Sequence, residues 1–190
     1  MQIKGKIHPS VRFYLEQSVE HLAYIKYCAK FLYDFGYSNT SEPTLIKKVS
    51  RSHLPKDKQF NYRIVTYTFT SFNFIYDAFN KIIDGKLIKV VTSFISEYLT
   101  PFGLALWIID DGSRQKGQGI LISTHSFNYQ DVLFLANLLT ELYDLKTSVI
   151  KSGIDNQWRI NIWKRSMPKL VEIVKPYIIP EMSYKLKDYL

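Results

Sequence analysis

A faint internal repeat is the feature that most constrains the fold of this chain. Val11–Ser18 has the composition of a strand that ends in a polar turn, and apolar residues recur at helical spacing through Val19–Phe35. The same plan returns in Gly119–Ser126 and in the helix predicted directly after it. The repeat predicts an α/β chain made of two related halves.

A second pair of segments extends the repeat. Phe60–Phe69 alternates like a strand, and a helix is predicted after it that runs as far as Ile82. Gln157–Trp163 and Met167–Val174 show the same order of strand and helix. Any α/β protein alternates such elements, so chance is the alternative explanation, but the matching order favours duplication. We therefore predict an N-terminal half-repeat, residues 1–97, and a C-terminal half-repeat, residues 98–190.

Between the halves lies an almost continuous apolar segment with a boundary signal at each end. Thr100 and Pro101 suit the N-cap and the first turn of a helix, and Gly112 suits a left-handed stop. A buried strand would also be apolar, but the caps and the length favour a helix over Thr100–Gly112. Residues 1–10 show no apolar helical period, so the first half-repeat is expected to lack a matching opening helix.

Two adjacent acids, Asp110 and Asp111, fall in the last turn of this predicted helix. The helix dipole disfavours a carboxylate there by about 0.3 to 1 kcal/mol, so the pair needs an explanation. A divalent cation, which takes oxygen ligands, would reverse that penalty. Alternatively, Asp-Asp-Gly is the solvated start of a turn. The residues alone leave both explanations open.

The overall charge favours a polyanionic partner. The chain has 25 lysines and arginines against 17 acidic residues, a net charge of +8, although a basic enzyme of another kind would show the same excess. The single cysteine, Cys28, excludes an internal disulfide and a cysteine-based metal site, and it indicates a reducing compartment. No segment has the length of a membrane span, and residues 1–10 resemble neither a secretory signal nor a transit sequence. We expect no membrane association.

The sequence LALWIIDDG, Leu104–Gly112, closely resembles the helix motif of the LAGLIDADG homing endonucleases. Together with flanking segments such as Tyr98–Pro101 and Lys175–Pro180, it is most similar to the subgroup that contains the yeast mitochondrial omega-intron endonuclease. The resemblance implies a duplicated αββαββα fold of the α/β (α+β) class, with antiparallel saddle sheets that bind nucleic acid. The first half would lack its opening helix. The residues that match the motif are Leu104, Ala105, Ile108, Asp111 and Gly112, whereas Leu106 replaces the motif glycine.

The resemblance also implies roles for single residues. In this family two motif helices lie side by side, and each gives one acid to magnesium ions at the scissile phosphates. Asp111 is then the expected Mg²⁺ ligand and catalytic acid, and Asp110 is a weaker candidate ligand. Lys185 matches the catalytic basic residue that polarises water or stabilises the transition state. Its counterpart in the first half is either Lys86 or Lys89.

A motif helix without its partner would expose an apolar interface. Leu104, Trp107 and Ile108 are the residues expected to need cover, because apolar surface left in water costs roughly 25 cal/mol per Å². The cover would come from a second polypeptide with the missing helix, a second copy of this chain, or a larger assembly.

The candidates for contact with nucleic acid are basic residues on the predicted strands. Aromatic residues that could stack on bases, such as Tyr14, Tyr67 and Trp158, lie between them. Ser38–Asn61 is expected to be a long loop or irregular hairpin that contacts the nucleic-acid backbone. Any single basic residue is more often just a solvated charge. The candidates are Arg12, Lys47, Lys48, Arg51, Arg63, Arg114, Lys116, Lys151, Arg159 and Lys164.

Two functions follow from these expectations. The favoured one is binding of structured RNA, an intron or ribosomal RNA, in a mitochondrial ribonucleoprotein such as the mitochondrial ribosome, without autonomous cleavage. The alternative is one piece of a split Mg²⁺-dependent DNA homing endonuclease, completed by a partner that supplies the first motif helix. A first helix encoded upstream of Met1 is a third possibility. The abundance of Tyr, Phe, Lys, Ile and Asn is a bias that AT-rich codons produce, and it indicates an organellar gene. With the resemblance above, we expect a mitochondrial protein.

Overall fold

The computed structural model describes residues 10–125 and 127–190 of the chain. The chain divides into two compact units, Met1–Asp77 and Ala78–Leu190, which we call the N-terminal and C-terminal units. The predicted boundary between the half-repeats, at residues 97 and 98, lies further along the chain and stays a prediction. None of the helices in the described residues is long and apolar enough to cross a bilayer.

The N-terminal unit contains a three-stranded antiparallel sheet with the strand order β1-β3-β2 and a helix, α1, that packs on it. One side of α1 supplies the buried residues Tyr24, Ile25, Cys28 and Ala29, and Ile64 of the central strand is buried as well. The elements are β1 (Tyr14–Ser18), α1 (Leu22–Asp34), β2 (Thr44–Lys47), β3 (Phe60–Val65) and α2 (Asn73–Phe79), the last of which crosses into the C-terminal unit.

The C-terminal unit contains a four-stranded antiparallel sheet with the strand order β6-β7-β9-β8, preceded by a two-stranded hairpin, β4-β5. The isoleucines of the two central strands, Ile120, Ile122, Ile160 and Ile162, are fully buried in its core. The elements are β4 (Asn80–Ile83), β5 (Lys86–Lys89), α3 (Ile95–Tyr98), α4 (Pro101–Asp111), β6 (Gly112–Gln115), β7 (Gly119–Ser123), α5 (Tyr129–Tyr143), β8 (Thr147–Lys151), β9 (Trp158–Ile162) and α6 (Met167–Val174).

The order of these elements confirms the predicted fold class and the duplication. From α4 to α6 the chain runs helix, two strands, helix, two strands, helix, which is the αββαββα plan. In the N-terminal unit β1, α1, β2, β3 and α2 follow the order of β7, α5, β8, β9 and α6. The sheet order β1-β3-β2 likewise matches β7-β9-β8. The predictions that concern residues 1–9, including the missing opening helix, and Ser126 lie outside the described residues.

The structure corrects one predicted element and, of the two alternatives given for Ser38–Asn61, confirms the irregular hairpin. The helix expected to reach Ile82 ends at Phe79, because Asn80–Ile83 forms strand β4 of a hairpin. Asp84 and Gly85 form its turn with φ values of +50° and +74°, the left-handed backbone that an Asp-Gly hairpin turn requires. The expected loop Ser38–Asn61 is an irregular hairpin, since it contains β2, which pairs with β3.

Candidate functional site

The motif helix α4 begins as the sequence predicts but ends differently. The Thr100 hydroxyl accepts a hydrogen bond from the Gly103 N–H at 3.2 Å, which caps the helix ahead of Pro101. The expected left-handed stop at Gly112 is wrong, because its backbone is extended, with φ −72° and ψ 136°. Glycine is needed here for space: an added Cβ would lie 2.4 Å from the Ile108 carbonyl oxygen and 3.1 Å from Ile120 Cδ1. The close approach lets β6 start directly from the helix.

Lys185 closes the C-terminal end of α4. Its ammonium donates to the carbonyl oxygen of Ile109, to that of Gly112 at 2.8 Å, and to that of Asp110 at 3.5 Å. The last carbonyls of a helix have no partner within the helix, and a cation there also opposes the helix dipole. Lys185 is therefore fixed against the motif helix by backbone contacts, which sequence reasoning did not anticipate.

The electrostatics at this helix end disfavour a bare carboxylate. Removal of water from around the Asp111 carboxyl raises its pKa, while the charges of Lys185 and His125 act in the opposite direction. Burial lowers the pKa of Lys185, against the attraction of Asp110 and Asp111. Asp111 is exposed at the surface, and a carboxylate at the negative end of a helix would gain from a divalent cation, so Asp111 fits a hard metal ion in its chemistry. Across residues 10–125 and 127–190, no group of three or more His, Cys, Asp or Glu side chains could hold a metal ion.

The predicted apolar interface of α4 divides into two parts. Leu104 and Ile108 are fully buried and belong to the core of the C-terminal unit. The expectation that both need cover from another molecule is therefore wrong. The reason is that the four-stranded sheet and helices α5 and α6 supply the neighbours of that core. Trp107 is only half-buried against it and fits the prediction better.

An open cavity of about 460 Å³ adjoins the end of α4 and the start of β6. Its lining includes the predicted residues Arg114, Lys116 and Lys185, so the structure brings these three together. The Arg114 guanidinium is held by Asp188, with Nη2 to Oδ1 at 2.5 Å and Nε to Oδ2 at 2.7 Å. Asp188 also accepts from the Gly117 N–H at 3.3 Å. This pair fixes the C-terminal segment against β6, and sequence reasoning missed Asp188.

The two faces of the C-terminal sheet can be assigned from burial. Ile120, Ile122, Ile160 and Ile162 point into the core, so the residues that alternate with them form the outer face. In register, Ser113, Leu121, Asn161 and Ser148 make one row of this face, and Ser123, Arg159 and Ile150 make the next. Arg159 is the predicted nucleic-acid residue on this face, and its Nε donates to His125 Nε2 at 2.9 Å.

Other predicted residues of the C-terminal unit lie elsewhere. Arg114 pairs in register with Ile120, and Lys151 pairs with Trp158, so both start from the core side of the sheet. Lys151 Nζ lies 5.8 Å from the centroid of the Trp158 ring. Lys164 is exposed just after β9, and Lys116 is exposed just after β6.

The outer face of the N-terminal sheet gathers its predicted residues around one carboxylate. Glu16 accepts from Lys48 Nζ at 2.7 Å and from Arg63 Nη2 at 2.5 Å. Arg63 and Arg12 lie 5.6 and 5.3 Å from the centroid of the Tyr14 ring, and Arg12 Nε donates to the Tyr14 hydroxyl at 3.0 Å. We call Arg12, Tyr14, Glu16, Lys48 and Arg63 the Glu16 cluster. Hydrogen bonds from Lys48 and then from Arg63 hold the pKa of Glu16 below its ordinary value.

The remaining predicted residues are more scattered. Arg51 Nη1 donates to Asn61 Oδ1 at 3.0 Å beside the Glu16 cluster, and Lys47 is exposed at the end of β2. Lys86 and Lys89 are both exposed on β5, so the choice between them stays open. Sequence reasoning missed Glu16, although its position two residues after Tyr14 on a predicted strand places both on one face.

Comparisons with known proteins bear on this site. Residues 2–170 match the profile of the LAGLIDADG DNA endonuclease family. The cytochrome b mRNA maturase bI2 of Saccharomyces cerevisiae is 38% identical over 190 residues, which cover 98% of this chain and 44% of the maturase. The chain therefore spans less than half the length of that relative. The intron-encoded endonuclease ai4 of Dictyostelium discoideum is 40% identical over 161 residues, which cover 82% of this chain and 98% of the endonuclease.

A solved structure supports the same conclusion. The homing endonuclease I-WcaI, bound to its DNA recognition sequence, is 26% identical and superposes with a TM-score of 0.74 over 98% of this chain and 78% of its own. The fold, the capped helix with its terminal acids and the family profile agree with one another. This chain belongs to the LAGLIDADG DNA endonuclease family.

Proposed function

We propose that this chain binds an intron RNA in a mitochondrial ribonucleoprotein and does not cleave nucleic acid on its own. The observation that carries the proposal is the position of Lys185, the predicted catalytic cation. Its ammonium caps the motif helix through three carbonyl oxygens, so its protons are engaged within the protein. The likeness to a yeast mRNA maturase over 98% of the chain supports RNA as the ligand.

The outer faces of the two sheets are the proposed binding surfaces. The Glu16 cluster presents two arginines and a lysine around one acid, and Arg159 and Asn161 lie on the outer face of the other sheet. Arginine and lysine side chains contact phosphates, and aromatic side chains stack on unpaired bases. The predicted residues Arg12, Lys48, Arg63, Arg159 and Lys164 fit this role by their location.

LAGLIDADG endonucleases use divalent metal ions. In this chain Asp111, with Asp110 beside it, would hold Mg²⁺, and phosphate oxygens and water would complete its ligands. Where cleavage occurs, such an ion activates water and neutralises charge at the scissile phosphate. The chain's own contribution is to place the desolvated Asp111 carboxylate at the helix end and to fix that end with Lys185.

Purified protein with Mg²⁺ tests the proposal directly. Two ligands should be compared, a transcript of the intron that carries the gene and a DNA duplex that spans the uninterrupted insertion site. We expect the transcript to bind with an affinity that falls steeply as salt rises, because phosphate contacts release counterions. The duplex should stay uncut. Site-specific cutting of the duplex by this chain alone would overturn the proposal.

The second candidate is a DNA endonuclease completed by a partner that supplies the first motif helix. The position of Asp111 at the C-terminal end of the motif helix favours it, as does the likeness to an intron-encoded endonuclease along nearly its whole length. When this chain is mixed with a polypeptide that carries such a helix, Asp111→Asn should abolish cleavage and preserve binding. Asp155→Asn, a change to an exposed acid in the turn between β8 and β9, is the matched control.

The proposed location is the mitochondrion, in keeping with a relative that matures cytochrome b mRNA. The proposed partners are the intron RNA and a second polypeptide or assembly that covers the half-buried Trp107 on α4. A ribosomal assembly draws no support from the maturase and the endonuclease to which this chain is similar. Isolation of the protein from mitochondrial extract, with sequencing of the bound RNA, would identify both partners.

A further inference from the structure

A second open cavity, of about 430 Å³, lies at the end of β9 on the C-terminal unit. Its lining combines an aromatic ring, two amides, a hydroxyl and a cation: Trp163, Asn161, Gln118, Ser148 and Lys164, together with the backbone of Gly117. Apart from the Trp163 ring this lining is polar, so the cavity suits a flat ligand that has polar edges. The cavity is separate from the end of α4, whose lining shares none of these residues.

The tryptophan of this cavity is exposed and yet held in place. Trp163 keeps 40% of its surface exposed, and its indole N–H donates to Ser148 Oγ at 3.0 Å. The Arg165 guanidinium lies 4.6 Å from the ring centroid and so covers part of the ring. The backbone is fixed as well, since Trp163 N–H donates to the Lys146 carbonyl at 2.9 Å. An ordered ring with satisfied polar atoms loses little freedom when a flat ligand stacks on it.

A close contact between strands positions the polar groups around the ring. At Gly119 an added Cβ would lie 2.2 Å from the Ile162 carbonyl oxygen, so the backbones of β7 and β9 are in close contact here. This contact brings the turn at Gly117 and Gln118 beside Trp163. Asn161 and Ser148 reach the cavity from the outer face of the sheet. An amide side chain offers a donor and an acceptor side by side, as the edge of a nucleobase does.

We propose that this cavity binds one unpaired nucleobase, stacked on Trp163, with its edge contacted by the amides of Asn161 and Gln118 and its phosphate near Lys164. The inference rests on the proposed nucleic-acid function and deepens it, because it names the state of the ligand. A base within a duplex is already stacked on both faces, so it cannot occupy the ring. Single strands, loops and bulges supply such bases, and proteins bind them by stacking on aromatic side chains.

The experiment compares three labelled probes of one sequence: a single-stranded RNA of about twelve nucleotides, the same strand as DNA, and the fully paired duplex. Trp163→Leu should weaken binding of the single strands about tenfold, whereas duplex binding should stay unchanged. Trp163→Phe, which keeps an aromatic ring, should recover most of the loss. Tyr129→Leu is the matched control, because Tyr129 is 41% exposed and lies outside the cavity.

A second readout does not depend on the leucine variant. Binding of the RNA strand to the unaltered protein should quench tryptophan fluorescence, and Trp163→Phe should remove most of that quenching. A loss for both RNA and DNA single strands supports an unpaired base regardless of sugar, and a loss for RNA alone supports an RNA base.

Unchanged single-strand binding by Trp163→Leu, or quenching that persists in Trp163→Phe, would overturn the inference while the proposed function stands. Failure of the unaltered protein to bind either single strand, while it still binds the intron transcript, would also overturn the inference alone. Failure to bind the transcript would refute the proposed function, and the inference with it.

Discussion

In the N-terminal unit two cations of the outer sheet face, Lys48 and Arg63, pair with a single carboxylate, that of Glu16. In the C-terminal unit Arg114 starts from the core side of the sheet, where it pairs with Asp188, and the outer face presents Arg159, Asn161 and, at its end, Trp163. The two copies of one fold thus display different side chains on their outer sheet faces. Cations grouped on a sheet face suit the phosphates and base edges of paired nucleic acid, whereas an exposed aromatic ring with amides beside it suits unpaired bases.

The two units also differ in how many apolar residues they bury. The C-terminal unit has a continuous core that includes Leu104 and Ile108 of α4, with sheet and helices around it. The buried apolar residues of the N-terminal sheet and α1 are fewer: Tyr24, Ile25, Cys28, Ala29 and Ile64. The C-terminal unit is therefore expected to carry most of the chain's stability, and the motif helix is part of that core.

The largest expected effect is that of Leu104→Ala. Because Leu104 is fully buried, the substitution should lower the free energy of unfolding by about 2 to 5 kcal/mol, through lost burial and the cavity left behind. Denaturation by urea, followed by circular dichroism, measures it. Leu142→Ala, on the 43% exposed Leu142 of α5, is the control and should cost little. Equal effects of the two changes would mean that α4 is not part of the core.

The next effect concerns the end of α4. Lys185→Met keeps the length of the side chain but removes the donor to the carbonyls of Ile109 and Gly112, so we expect a loss of about 1 to 3 kcal/mol. Lys187→Met, in the same segment but exposed, should be close to neutral. Thermal melts of both variants decide the matter. If the two lysines prove interchangeable, the cap contributes nothing to the stability of the motif helix.

Much of this architecture is readable from the sequence, because it depends on local signals. Thr100 and Pro101 at the start of α4, and the alternation of isoleucines in the central strands, fix elements and faces by short-range chemistry. The sequence indicates that Gly112 ends the helix, but the predicted left-handed backbone is wrong. Its need for glycine comes from a close approach to Ile108 and Ile120, which only the packed structure reveals.

The site was less predictable, because its partners are distant in sequence. Asp188 decides where Arg114 points from 74 residues away, and Glu16 meets Arg63 from 47 residues away. Composition identified the basic residues as a set but could not say which are engaged within the protein. Glu16 could have been found from the alternation of side chains along a strand, because it lies two residues after Tyr14. The Trp-Lys-Arg segment at 163–165 pointed to the second cavity, but a count of charges does not single it out.

A third prediction compares one arginine from each unit. Arg63→Ala should weaken binding of a labelled nucleic acid about tenfold, because Arg63 lies on the outer face. Arg114→Ala should change it by less than about twofold, since Arg114 pairs in register with Ile120 and so lies off the outer face. Fluorescence anisotropy at two salt concentrations measures both. A tenfold loss for Arg114→Ala would show that Arg114 leaves Asp188 to contact a phosphate. The two arginines would then not differ in their contribution to binding.

The smallest effect is a pH dependence of stability that arises from Glu16. Lys48 and Arg63 hold the pKa of Glu16 below its ordinary value of 4.5. An acid whose pKa is lowered by folding contributes stability above its unfolded pKa and loses it as the pH falls through the lower folded value. Glu16→Gln should therefore melt below the unaltered protein at neutral pH, and the gap should close as the pH falls below 4.5. Melts at a series of pH values measure the gap.

Two further variants show whether this pH dependence belongs to the cluster. Glu20→Gln, at an exposed acid that makes no ion pair within the described residues, should give no gap at any of these pH values. Asp188→Asn should show a gap of the same sign, because Arg114 lowers the pKa of Asp188 in the same way. Only Glu16→Gln should also change nucleic-acid binding, since Glu16 orients Arg63 on the outer face and Asp188 holds Arg114 away from it. A change in binding for both variants, or for neither, would mean that Glu16 and Asp188 affect nucleic-acid binding alike. The contrast between the two units would then be wrong.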